Sequence, residues 1–294
     1  MSDAWSMPCY RVPGRFGIPR PSVASRLARK LKVRSGPTGR DVNGGRPLGG
    51  ALTLDKSRQH SLERARVLVS RIIAERHDRP SLVSEIACVV GAEIIEGQRL
   101  PGDDLNSVEL SKRFDTSRTP IREALLLLEK EGLVDVKPRR RPRVASLSLT
   151  EIREIYHVRA ALFEIVATDV ARTVTAEGIR VLAGAVAGMA RACRDGDLDA
   201  FVWANLDFYE HNTQFANNRT VKRIMDSLVI RTARLRRLSL EKPARMAQSL
   251  DDHARILRAY EDRDAALAAA LIRSNHINAL AALENNMFEG SIAH

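Results

Sequence analysis

Two arginines four residues apart, Arg118 and Arg122, with Ser117 and Thr119 beside them, form the most chemically informative group in the chain. At the start of a helix, side chains at i and i+4 leave one face, and guanidinium groups placed there fork onto guanine O6 and N7 or onto phosphate. A second cationic group, Arg139, Arg140 and Arg141, suits phosphate or a minor groove. The later part of the chain carries other chemistry. Asp207 and His211 share the i, i+4 spacing, and with His253 and His276 they would supply four metal ligands. Arg159 lies on a helical stripe with Ile155, Leu162 and Val166 and is expected to point into a core. A buried guanidinium needs an anion, either a protein carboxylate such as Glu164 or Asp169 or that of a small acid. Arg231, Arg234, Arg236 and Arg237 read as a solvated face, one of which could line the same pocket.

The elements that hold the first group are legible. Val108, Leu110 and Phe114 give a short amphipathic helix, Asp115-Thr116-Ser117 a tight polar break, and a second helix starts at Arg118 with Ser117 as its N-cap. Its apolar stripe is Ile121, Ala124, Leu125 and Leu128, leaving Arg118, Thr119 and Arg122 at the free end, the end by which a recognition helix enters the major groove. Gly132 stops this helix; Leu133 to Val136 and Val144 to Leu147 read as a hairpin around a basic turn, which makes a winged helix-turn-helix. Upstream, Leu82, Ile86, Val89, Val90, Ile94 and Ile95 make the first core helix, and Asn106-x-x-Glu109 a helix cap.

The 294 residues suit two domains, and 44% apolar residues suffice for packed cores. The net charge of +11 resides in residues 1–80, so the high isoelectric point says nothing about the folded body. Residues 1–60, rich in Arg, Pro and Gly, are expected to be a disordered basic extension, and 61–80 a lead-in helix or linker. The winged helix is expected over 81–147. From 148 to 288 only helical patterns follow, at about 149–173, 176–194, 197–214, 219–239, 248–262 and 264–286, so the fold class is mainly α with a small β wing followed by an all-α bundle. Three scattered cysteines fit a reducing cytoplasm, and no apolar run reaches membrane-spanning length.

The stretch IIEGQRLPGDDLNSVELSKRFDTSRTPIREALLLLEKEGLVDVKPRR resembles the DNA-binding domain of the GntR family of bacterial transcriptional regulators, departing at the wing tip, where the family usually has Gly and this chain has Arg141. EIREIYHVRAALFEIVATDVA, NLDFYEHNTQFANN and DDHARILRAYEDRDAALAAALIRSNHI resemble the FCD-type ligand-binding domain of the FadR subfamily. The resemblance implies DNA contacts by Ser117, Arg118, Thr119, Arg122, Arg139, Arg140 and Arg141. Many members hold a metal with an Asp and three His. Asn218, with Val221 three later, sets the register in which the matching positions are Asn205, Tyr209, His253 and Asn275. Only His253 is then a strong ligand, and His276 falls one residue past its place. The expected site is a polar pocket without metal or other cofactor, in which Arg159, Asn205, Tyr209, His253 and Asn275 bind a small carboxylate-bearing metabolite.

The function this implies is a sequence-specific repressor, a homodimer on a double-stranded operator with an inverted repeat, with no membrane and no enzymatic activity. Two alternatives stand beside it: a metal-dependent hydrolase using Asp207, His211, His253 and His276, and a non-specific architectural DNA-binding protein.

Overall fold

The computed structural model describes residues 49–74 and 81–292. Long stretches of helix formers, punctuated by capping residues, give ten helices among the described residues and one hairpin of two short strands. In order these are α1 (Gly49–Ala74), α2 (Leu82–Ile95), α3 (Ser107–Phe114), α4 (Arg118–Lys130), β1 (Val134–Asp135), β2 (Arg143–Val144), α5 (Leu149–Thr173), α6 (Ala176–Asp195), α7 (Leu198–Phe215), α8 (Arg219–Leu240), α9 (Pro243–Glu261) and α10 (Ala265–Ile292).

Helix α1 corrects one expectation. It begins at Gly49, so residues 49–60 are helical rather than part of a disordered extension; residues 1–48, and 75–80 of the expected lead-in segment, lie outside the described residues. The reason is in the sequence: Gly and Pro stop at Gly50, and every third or fourth residue thereafter is apolar or small. Ser61, Ala65, Leu68, Val69, Ile72 and Ile73 form the buried face. It packs closely on α2, where a Cβ added at Gly91 would meet Val69 and Leu128 side chains at 3.1 Å.

The winged helix follows the expected order with local differences. Asn106 caps α3, accepting from the Val108 amide at 3.0 Å while its own amide donates to Glu109 at 3.0 Å. Leu110 and Phe114 are buried, but Val108 is 41% exposed, because in so short a helix its position falls off the inward stripe. Asp115 makes the break in the left-handed region, at φ 52°. Glu93, buried on α2, accepts from Arg99 Nε at 2.8 Å and from both terminal nitrogens of Arg113, tying α2 to α3. The strands are two residues each, shorter than expected, with Val134 opposite Val144 and Asp135 opposite Arg143; Asp104 bridges to Arg143 as well.

The bundle opens on a full capping box, Ser148 with Glu151, and its core gathers Phe163, Val166, Val170, Leu182, Met189, Phe201, Phe208, Ile256, Tyr260 and Ile272. Five of the six expected helices match to within a few residues at their starts. The exception is α9, which begins at Pro243 instead of 248, with the proline in its first turn where no backbone donor is lost. That extra turn matters, because it carries Arg245 inward. Helix α10 also runs beyond the expected end, to Ile292.

Candidate nucleic-acid interface and bundle pocket

Helix α4 separates two faces. Ile121, Ala124, Leu125 and Leu128 are buried against the domain, while Ser117, Arg118, Thr119 and Arg122 are exposed at its N-terminal end. Ser117 occupies the N-cap position but its hydroxyl makes no cap bond, contrary to expectation. The hydroxyl and the first-turn amides are thus placed to donate to an acceptor such as phosphate. Arg139, Arg140 and Arg141 are exposed on the wing turn. Arg139 is the residue in the left-handed region, at φ 60°. Arg141 and Arg143 lean on Asp104, at 3.7 and 2.8 Å.

The bundle pocket is built by α5, α7, α8, α9 and α10, a cavity of about 30 Å³ with Tyr156, Arg159, Asn205, Tyr209, Arg236 and Arg245 among its walls. A second cavity of about 30 Å³ shares Arg159, Tyr209 and Arg236. Four of the five expected effector residues, Arg159, Asn205, Tyr209 and Asn275, line the first cavity. The fifth, His253, stands behind Asn205: its Nδ1 is 2.6 Å from the Ser249 carbonyl and its Nε2 is 3.1 Å from the Asn205 amide nitrogen. Nδ1 therefore carries the proton and Nε2 accepts. Burial pushes His253 down to about 4, so the ring is neutral at pH 7.

Two arginines missed as site residues complete the wall. Arg236 Nη1 donates to Asn205 Oδ1 at 2.7 Å, and its guanidinium lies 5.0 Å from the Tyr209 ring centre. Arg245 Nη2 donates to Asn275 Oδ1 at 3.0 Å, while the Asn275 amide donates to the Tyr209 hydroxyl at 2.6 Å. Arg236 belonged to a basic stretch read as a solvated face of which one residue could line the pocket, and it is that residue; its place four before Leu240 and one after Leu235 on the apolar side was the available signal. Arg159 is paired with neither Glu164 nor Asp169: its Nη1 donates to Thr232 Oγ1 at 3.0 Å, and Glu164 takes Arg273. His276 does not point elsewhere, as its one-residue offset suggested; it lines the pocket and packs against Phe163 and Tyr209 at 4.9 and 5.2 Å.

Asp207 and His211 do not join this group. Asp207 pairs with Arg64 of α1, His211 stacks on Phe215 at 6.0 Å, and both line a separate cleft between α1, α6 and α7. The four-ligand set with His253 and His276 is therefore not assembled, and the hydrolase alternative loses its site.

Residues 82–144 match the description "Bacterial regulatory proteins, gntR family", and residues 154–279 match "FCD domain". The chain belongs to the GntR family of transcriptional regulators. Its relatives include the "Uncharacterized HTH-type transcriptional regulator YdhC" of Bacillus subtilis, 29% identical over 62% of this chain and 83% of that one. The "Gluconate operon transcriptional repressor" of Bacillus licheniformis is 28% identical over 68% of this chain and 83% of that one. Among solved structures, "E. coli McbR/YncC" covers 70% of this chain and 99% of its own at 20% identity with a TM-score of 0.61, a likeness of fold. The family and these relatives are regulators, not enzymes. No helix among the described residues is long and apolar enough to cross a membrane.

The metal that the FCD resemblance implies does not fit the residues present in this GntR-family chain. Its positions are held by Asn205, Tyr209, His253 and Asn275, two amides and a phenol in place of strong donors. Among these four the one lone pair suited to a metal, His253 Nε2, is turned to the Asn205 amide. The Asn205 oxygen is in turn occupied by Arg236. No group of three or more His, Cys, Asp or Glu gathers at ligating distance among the described residues.

Proposed function

We propose that this regulator is a cytoplasmic homodimeric repressor that binds an operator with an inverted repeat and is released by a small carboxylate-bearing metabolite in the bundle pocket. Arg118 and Arg122 read base edges, Ser117 and Thr119 hold the phosphate beside them, and Arg139, Arg140 and Arg141 grip the backbone or minor groove. Two copies related by a two-fold axis double the few base contacts of one recognition helix. The observation that carries the effector reading is Arg159: a guanidinium only 4% exposed, with a hydroxyl as its one hydrogen-bond partner among the described residues. Burying a cation without an anion costs several kcal/mol, so the pocket is built for a ligand that supplies the charge. An effector acts by binding one arrangement of the paired DNA-binding domains better than the other. Footprinting across the upstream regions of the source genome, with and without organic acids, tests this for wild type and Arg159→Ala. Symmetric protection lost on adding an acid in wild type and retained in the variant supports the reading; protection without sequence preference would make the protein an architectural one.

A further inference from the structure

The pocket holds more positive charge than its expected ligand set accounts for. Arg159, Arg236 and Arg245 are 4, 7 and 8% exposed and all three line one cavity. Their hydrogen bonds go to Thr232, Asn205 and Asn275, neutral acceptors throughout. Nε of all three, and Nη1 of Arg245, are buried without an acceptor. None pairs with a carboxylate among the described residues; Asp252, about two turns along α9, acts on Arg245 only at longer range. Burial and the charge of Arg159 lower Arg236 to about 10, still well above neutrality. The tyrosines offer no negative charge, since burial raises Tyr156 and Tyr209 above their usual value. Both histidines are neutral, His276 pushed down by burial and by Arg159. Among the described residues the pocket therefore carries three cationic charges, no anion, and several buried donors without acceptors.

We infer that the guanidinium groups of Arg236 and Arg245, seated on Asn205 and Asn275, take the place of the metal in this domain and make the pocket a metal-independent receptor for an anion with two or three ionised groups. This rests on the effector reading above and narrows its ligand class. One carboxylate on Arg159 leaves two buried cations unmatched; a dianion or trianion matches all three and supplies acceptors for the idle Nε and Nη1 hydrogens. Two cavities of about 30 Å³ each, divided by the Arg159, Tyr209 and Arg236 side chains, hold little more than water. Ligand entry must draw these side chains aside, and the long, unbranched arginines are the parts of the wall that can move. The shared chemistry is several ionised oxygens on a compact body, found both in di- and tricarboxylates and in phosphorylated small molecules.

The test uses the full chain, treated with chelator and dialysed, and follows melting temperature and calorimetric binding at constant ionic strength with acetate, succinate, citrate and inorganic phosphate. Wild type should gain stability from citrate or succinate, from phosphate, or from both, far more than from acetate, and added zinc should change nothing. Which arm responds separates the carboxylate source from the phosphate source. Arg245→Gln and Arg236→Gln should weaken the multiply charged probe on the order of ten- to hundred-fold, with Arg245→Lys recovering part of the loss, and should melt no lower than wild type without anion, because each removes an unmatched buried charge. Loss of response on chelation with recovery on zinc, or acetate binding as tightly as every multiply charged probe, overturns the inference. If acetate binds through Arg159 and the Arg236 and Arg245 variants behave as wild type, the inference fails while the effector reading stands; if none of the four probes binds at 10-mM scale, about ten thousand times a micromolar affinity, both fail.

Discussion

Glu93→Gln is the sharpest test of how the DNA-binding domain is held. The Glu93 side chain is 7% exposed and takes three N–H donors, one from Arg99 and two from Arg113. It is the clamp between α2, the loop after it and α3, whose C-terminal turn leads into the recognition helix. A charge-assisted bond is worth about 1.5–3 kcal/mol, and breaking a buried pair about 3–5. Arg99 and Arg113 are 23 and 33% exposed and recover part of their hydration, so the expected loss is about 2–3 kcal/mol, roughly 5–10 °C in Tm. The pH dependence fixes the cause. Burial raises the Glu93 carboxyl, but the bonds from Arg113 and Arg99 outweigh it and leave the group below its usual 4.5. A carboxyl depressed in the folded state contributes stability that is complete above the unfolded value and is lost as pH falls through the folded one. Urea titrations followed by circular dichroism at pH 7, 5 and 3.5 should show the gap between wild type and variant intact at 7, nearly intact at 5 and shrinking below 4.5. A gap under about 0.5 kcal/mol at pH 7, or one that does not change with pH, refutes the clamp.

Arg122→Ala should cost about 1–3 kcal/mol on the operator and relax specificity there, whereas Arg140→Ala should weaken all DNA evenly and flatten the salt dependence; fluorescence anisotropy on operator and random duplexes separates the two. Gly132→Ala should destabilise by about 1–2 kcal/mol in urea titrations, because Gly132 sits at φ 72° and its new Cβ would fall 2.7 Å from Arg231 Nε. A chain beginning at Gly49 should melt as the full chain does, while one beginning at Ser61 should melt lower, since it loses the Ser57 hydroxyl bond to Asp197 at 2.8 Å and the first turns of α1.

The DNA-binding half was legible because its signals are local. A cap, a left-handed turn residue, a helical stripe and a hairpin are each written within a few neighbouring residues, and Leu110, Phe114, Ile121 and Leu128 are buried as the pattern required. What failed there was small: Val108 lies at the end of an eight-residue helix, and Ser117 has the type of a cap without its bond. The pocket was harder because it joins residues up to 120 positions apart. Arg159 was placed inward from its own stripe, and Asn205, Tyr209 and Asn275 came from the family register, which also named His253, behind Asn205 and not in the wall. Arg245 escaped because the start of α9 was drawn after it, and α1 escaped in part because composition alone placed the helix start too late. Asp207 and His211 had correct ligand spacing but faced α1, since spacing puts two side chains on one face without saying which neighbour that face meets.

Helix α8 shows how the two halves can be one device. Arg237 bridges Glu96, at the end of α2, with Asp199 of α7, the Glu96 contact being 3.6 Å. Arg231 fills the space over Gly132, and Asp103 acts on half-buried Arg234. On the same helix Thr232 and Arg236 belong to the pocket wall. At about 100° per residue, positions 231, 234 and 237 centre roughly 170° from 232, 236 and 239. One rigid element therefore presents one face to the pocket and the other to the winged helix, so under the effector reading proposed above a ligand that displaces Arg236 would act on the same helix that Arg237 ties to Glu96. Arg237→Ala should leave effector binding intact while reducing its effect on operator affinity, where allosteric couplings are typically about 1–3 kcal/mol. Glu96→Gln, which keeps the Ser61 hydrogen bond but removes the charge, provides a milder second variant. Operator titrations with and without a bound anion measure the coupling directly. If both variants release DNA on anion addition by the same factor as wild type, the signal does not pass through this contact, and the Arg231 packing on Gly132 and the attraction between Asp103 and Arg234 become the remaining routes along α8.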